Sequence, residues 1–172
     1  MTADYLPLIS EKDVDFRTAA AILVTPDGRY LMQLRDDKDD IPLPGMWALF
    51  GGMVEPGEEM ETGLRRELKE ELELDLAADS FSYFSQMVFD AIYSDAKTCQ
   101  RYYFEAQLSL QVFDTLVLHE GADMRLMTAE EIWKESMRFV PCDFATLRMY
   151  MLTRRDGGRI PGVENSLSAN RS

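Results

Sequence analysis

The chain has 172 residues, 46% of them hydrophobic and 28% charged, with a net charge of −13 at neutral pH. That length and balance suit one compact soluble α/β-sized domain with its own core, and no apolar run nears the ~20 residues a bilayer crossing needs. The acidic excess argues against a nucleic-acid polymer as partner, because phosphate backbones demand basic stripes. A small phosphorylated ligand stays open, provided that a cation shields it from the acidic field. Cys99 and Cys142 match no C-x-x-C spacing and read as ordinary reduced thiols. The start, Met1-Thr2-Ala3-Asp4-Tyr5, has no basic segment followed by an apolar stretch. A cytoplasmic protein is therefore expected.

In chain order, Phe16 to Leu34 reads as a β-hairpin: Ala19 to Val24 is apolar throughout, Pro26-Asp27-Gly28 turns, and Tyr30 to Leu34 returns. Arg35 to Asp40 is too charged for a core element and forms a loop ended by Pro42 and Pro44. Met46 to Phe50 is a short strand entering Gly51-Gly52, and a turn at Glu55 to Glu58 leads into a helix from Met60 to Leu74. Phe81 to Tyr93 and Gln100 to Leu110 carry the aromatic and β-branched content of strands. Val117-Leu118 and Arg125 to Met127 are shorter strand candidates. Thr128, with Glu131 three residues on, is a capping-box start for a short helix. Cys142 to Leu152 is a second, more apolar helix, giving three helices mixed with strands and thus a layered α/β domain. It is expected to span residues 1–153, with 154–172 as a flexible tail.

The helix from Met60 carries the chemistry. At ~100° per residue, Glu67, Glu70 and Glu71 share one arc beside the apolar stripe of Leu64, Leu68 and Leu72. Arg65, Arg66 and Lys69 fall on the remaining side. Like charges so placed repel, and a divalent cation removes the conflict. Hard oxygen ligands on one rigid element suit Mg²⁺, which leans on substrate phosphates for the rest of its shell. Gly63, one turn before Glu67, leaves room either for an ion or for a closely packed strand. A Glu-rich helix face by itself more often means solvation; the residues in front of it change that reading.

From Gly52 through Glu58 to Arg66-Glu67-Leu68-Lys69-Glu70-Glu71-Leu72-Glu73-Leu74, the sequence resembles the Nudix box. That pattern is Gly, five residues, Glu, seven residues, then Arg-Glu-aliphatic-any-Glu-Glu-any-Gly-aliphatic. Only Glu73 departs, standing where the family has Gly. The matching Gly, Arg and four Glu would coincide on the order of 10⁻⁷ per starting position at average residue frequencies. The stretch Pro44 to Gly52 also looks like the family's strand entering the box, with Phe50 where Pro is commoner. The departure at Glu73 concerns how the helix ends, where Gly would ease the exit.

The resemblance implies an α/β/α sandwich with a mixed β-sheet, and Mg²⁺-dependent hydrolysis of a nucleoside diphosphate linked to another moiety, with Mn²⁺ as a substitute ion. It assigns Glu67, Glu70 and Glu71 to the metal, joined by the carbonyl of Gly51, and makes Gly52, Glu58 and Arg66 supporting residues. His119-Glu120-Gly121 resembles the Glu-Gly pair of MutT-like members, so Glu120 either completes the metal shell or acts as general base. Glu70, Glu71 and Glu120 are the expected catalytic carboxylates, with the base either Glu71 or Glu120. Where ADP-ribose members carry a downstream Pro this chain has Val88-Phe89-Asp90-Ala91, so a nucleoside triphosphate is favoured and a nucleotide sugar comes next. The rivals are a retired Nudix domain sensing a nucleotide, and an isoprenoid diphosphate isomerase, which would want an acid in an apolar pocket. By family analogy the chain pairs as a homodimer.

Overall fold

The computed structural model describes residues 13–91 and 97–153. A mixed sheet of seven strands among these residues forms the middle layer, ordered β3-β2-β1-β6-β5, with β4 paired to β1 and β7 to β2. The strands are β1 (Phe16–Val24), β2 (Tyr30–Leu34), β3 (Trp47–Ala48), β4 (Met53–Val54), β5 (Ser82–Ala91), β6 (Lys97–Gln107) and β7 (Asp123–Met127). The helices are α1 (Met60–Leu72), α2 (Leu110–Phe113), α3 (Ala129–Lys134) and α4 (Pro141–Thr153).

Strand β1 explains its own sequence. It runs parallel to β6, with Ala19 opposite Tyr102 and Ala21 opposite Phe104, and antiparallel to β2 and β4, so it lies inside the sheet with both faces covered. A strand buried on both faces is apolar throughout, not alternating. Ala19, Ala21 and Leu23 pack with Phe50, Leu64, Leu68 and Phe104 under α1. Ala20, Ile22 and Val24 face the other way, into Tyr30, Tyr103, Ile132, Leu147 and Tyr150 beneath α3 and α4. Two cores on two sides of one sheet make the α/β/α sandwich.

The expected hairpin, charged loop, capping box and final helix are present, Thr128 accepting from Glu131 N while the Glu131 carboxylate returns to Thr128 N. Three readings are corrected. Val117-Leu118 is not a strand: Val117 N and His119 N donate instead to Leu72 O at 3.2 Å and Glu71 O at 2.8 Å, tying this segment to the open end of α1. The second long strand starts earlier, at Lys97, and stops at Gln107, because Ser109 caps the short α2 through Val112 N. Helix α1 ends at Leu72, not Leu74. The predicted strand end at Tyr93 and the predicted tail from Arg154 lie outside the described residues.

Candidate metal and diphosphate site

Glu73 turns back at the end of α1 with φ of 56°, the left-handed conformation in which its N–H reaches Lys69 O, while Leu74 N reaches Leu68 O at 3.2 Å. This is the closing geometry that a glycine adopts most cheaply. The helix therefore terminates where the box pattern requires, with a non-glycine residue bearing the strain. His119 Nε2 meets the Glu73 carboxylate at 2.8 Å, so the lone histidine of the chain serves this exposed corner.

The carboxylates of α1 differ sharply in environment. Glu71 is only 5% exposed, whereas the Glu70 side chain is 62% exposed and Glu67 lies between them. The two Glu71 oxygens are oriented by different elements: Gly51 N donates to Oε2 at 3.0 Å, and Gln33 Nε2 approaches Oε1 at 3.4 Å. Burial pushes the Glu71 carboxyl up to about 8, with the nearby charges of Glu120 and Glu67 acting in the same direction against the Gly51 hydrogen bond. Glu67 is raised as well, chiefly by burial and despite the adjacent Arg66.

Gln33 was not singled out by the sequence, though a Gln inside Tyr30-Leu31-Met32-Gln33-Leu34 was the available signal. Side chains alternate across a strand, so Gln33 shares the α1-facing side of β2 with Leu31. There it is buried, and its amide also donates to Glu120 O at 3.0 Å. One side chain thus links Glu71 to the loop bearing Glu120, whose own carboxylate is exposed.

The glycine pair closes the site from the other side. Ala21 N and Ala19 N take the carbonyls of Phe50 and Gly52, flanking Gly51, which adopts φ of 126°. A Cβ on Gly51 would strike Ala19 O and Ala20 Cα, and one on Gly52 would occupy the place of the Glu67 carboxylate. Backbone and glutamate approach this closely only because neither glycine has a side chain. At Gly63 the neighbours are Val54 Cγ2 at 3.1 Å and Glu58 Oε2 at 2.9 Å, so of the two readings of that residue the closely packed strand holds.

Arg66 departs from the helical-wheel expectation. Its guanidinium folds across the carboxylate arc, 2.7 Å from Glu67 and 3.5 Å from Glu70, while also reaching Glu58 and Met53 O. Long side chains span more of a helix surface than their Cβ direction suggests. Glu58 in turn accepts from Glu55 N, so Glu58 and Arg66 tie the entry turn to the helix. Among the described residues, no three acidic, His or Cys side chains are drawn together as tightly as a complete ion site.

The donor set nonetheless fits a hard divalent ion: all oxygens, several anionic, with one buried carboxylate whose ionised form lacks a charge partner. Glu67, Glu70 and Glu71, with the Gly51 carbonyl and Glu120, are the residues that would hold such an ion. Beside the glycine pair a cavity of about 210 Å³ reaches from Gly52 to Arg101, Cys142 and Asp143. Asp143, also unmarked by the sequence, is fully buried at the start of α4.

Comparisons with known proteins bear on this arrangement. Over 57 residues the chain is 51% identical to the nucleoside triphosphatase NudI of Escherichia coli O1:K1 and of Escherichia fergusonii, a match spanning 33% of this chain and 39% of the length of those relatives. The crystal structure of a MutT protein from Methanosarcina mazei Go1 superposes with a TM-score of 0.64 at 19% identity, covering 82% of this chain and 96% of that one. A bifunctional NMN adenylyltransferase/ADP ribose pyrophosphatase from Francisella tularensis, complexed with AMP and a Mn ion, gives 0.61 at 19% identity over 83% of this chain and 42% of that one. At those identities the structures speak for the fold. The profile of the NUDIX domain matches residues 15–147, and the chain belongs to that family.

Proposed function

We propose that the protein is a Mg²⁺-dependent diphosphatase, with Mn²⁺ as a substitute, that hydrolyses nucleoside triphosphates in preference to nucleotide sugars. The supporting observation is the buried Glu71, aimed by Gly51 N and Gln33 and surrounded by like charge from Glu67 and Glu120. NudI, matched in part, is a nucleoside triphosphatase, which favours the triphosphate reading. The Mn ion in the Francisella structure is in keeping with a divalent requirement. A bound divalent ion supplies the positive charge that the acidic surface lacks, polarising the diphosphate and stabilising the departing phosphate.

The chain's own residues then divide the work. Gly51, Glu67, Glu70 and Glu71 hold the ion, and Gln33 and the Gly51 N–H keep the Glu71 carboxylate from turning away. Both Glu71 oxygens are engaged, whereas Glu120 stands exposed at the site's edge, so Glu120 is the better acceptor for the proton of the attacking water. The water oxygen bonds to phosphorus as the bridging P–O bond breaks; the proton passes through Glu120 to solvent. Arg66 and Glu58 keep the turn and helix in register. The protein acts as a cytoplasmic enzyme on free nucleotides, with neither polymer nor membrane as partner, and works as a homodimer.

A panel of nucleoside triphosphates, nucleoside diphosphates and nucleotide sugars, run with and without Mg²⁺ and with products identified by mass, tests the reading. Turnover of triphosphates confined to the Mg²⁺ samples is expected. Tight nucleotide binding without turnover would instead make the chain a sensor.

A further inference from the structure

The cavity beside the glycine pair has an inner wall that the carboxylate chemistry does not use. Arg101 on β6 is only 13% exposed, and its ion-pair partner Asp143 is 0% exposed. The pair is bidentate, Nε to Oδ1 at 2.9 Å and Nη2 to Oδ2 at 3.1 Å, while Asp143 also accepts from Leu49 N and the Tyr103 hydroxyl. Asp143 is thereby saturated. Among the described residues Arg101 is not: of its five N–H groups, two meet Asp143 and one on Nη1 meets Thr18 Oγ1 at 3.3 Å. A carboxylate clamped side-on through Nε and Nη2 leaves the end of the guanidinium, one N–H on each Nη, for another acceptor.

A buried ion pair is weak evidence for stability, since desolvation offsets much of the attraction. Here the arginine of the pair also lines the cavity. That cavity shares Leu43, Phe89, Val140 and Cys142 with an adjoining apolar groove of about 650 Å³, lined also by Met87 and Pro141. Apolar walls with a few fixed polar groups are the usual make-up of a site for a flat organic ring. The same cavity is lined by Gly51 and Gly52, which also adjoin Glu71, through Gly51 N, and the Glu67 carboxylate, beside Gly52.

Resting on the diphosphatase reading, we propose that Arg101 is the specificity-determining residue for the substrate's base: its end-on fork, fixed by Asp143, receives a carbonyl oxygen of a guanine, cytosine or uracil ring seated between the apolar walls. Adenine carries no carbonyl, and on the edges that bear its amino group each ring-nitrogen acceptor sits beside that donor, so the fork would pair one N–H and leave the other facing a donor. Sites built to pair a polar group reject ligands that cannot pair it far more strongly than apolar pockets reject a changed shape.

The test is calorimetric binding of AMP, GMP, CMP and UMP, each with Mg²⁺, to the full chain, so that it does not depend on turnover. The wild type is expected to bind at least one carbonyl-bearing monophosphate about 10-fold or more tighter than AMP. R101K keeps a cation against Asp143 but loses the planar fork, and is expected to erase most of that preference with the melting temperature little changed. The double variant R101M/D143N removes both charges together, leaving no lone buried ion, and is expected to show the same loss. Equal or tighter binding of AMP by the wild type, binding of none of the four, or a preference that survives both variants would overturn the assignment. Nucleotide binding with the expected preference but no hydrolysis would leave Arg101 in place and remove the enzymatic reading.

Discussion

Glu71 sets two demands against each other. Its carboxyl is pushed from the ordinary 4.5 to about 8 by burial first, then by Glu120 and Glu67. Between those values the folded, metal-free protein holds a proton that the unfolded chain releases. Stability is thus greatest below about 4.5, as far as this group decides it, and falls as pH rises toward 8, by on the order of a few kcal/mol. Glu71→Gln should flatten that dependence, so that the metal-free variant melts higher than wild type at pH 8 and not at pH 5. The same substitution is expected to lower turnover by about 10³-fold or more, the scale on which charge-stabilising groups act. Glu120→Gln should lower turnover by about 10²–10⁴-fold with little change in melting, as fits an exposed proton acceptor. Equal loss of stability and activity in Glu71→Gln would point to a structural role alone. The carboxylates were legible in the sequence as a spaced pattern. Their unequal burial was not, because Glu71 is enclosed beside Gly51 and a strand residue, Gln33, that no helical spacing could indicate.

At the scale of elements, the end of α1 and the turn entering it carry most of the precision. Glu73 occupies a left-handed position where a side chain costs about 1–2 kcal/mol. Its exposed contact with His119 returns little of that. Glu73→Gly is accordingly expected to raise the melting temperature by roughly 2–4 °C in a chain of this size, measured by calorimetry at pH 7. A drop would mean that the His119 contact outweighs the backbone strain. Gly52→Ala is expected to act the opposite way, cutting activity at least 10-fold by driving the Glu67 carboxylate aside while the fold survives. The hairpin, α1 and the capping box of α3 were readable because local rules fix them: apolar runs, Gly and Pro turns, and Thr128 with Glu131. Val117-Leu118 misled for a physical reason. Leu118 packs on the core beside α1 while Val117 is exposed, and the backbone satisfies helix-end carbonyls in place of a neighbouring strand; composition alone does not distinguish those two sinks for N–H groups. That choice brings Glu120 up to Glu71.

At the scale of the whole molecule, β1 divides two cores, and the site forms at the glycine-lined seam between the sheet and α1. The described elements end at Thr153; we propose residues 1–153 as the folding unit, and a chain ending there is expected to match the full protein in melting temperature and turnover. The sandwich was legible in outline from alternating strands and helices. The buried Arg101–Asp143 pair was not, since its members lie 42 residues apart and meet only when β6 and α4 pack together. No described helix is long and apolar enough to cross a membrane. The whole account rests on carboxylates of one helix gripping a divalent ion against the glycine pair. Anomalous diffraction from crystals soaked in Mn²⁺ examines this directly. An anomalous peak coordinated by Glu67 and Glu71 beside Gly51 is the expected result. Full soaking with no peak there, Glu67 still against Arg66 and Glu71 still against Gly51 and Gln33, would contradict it.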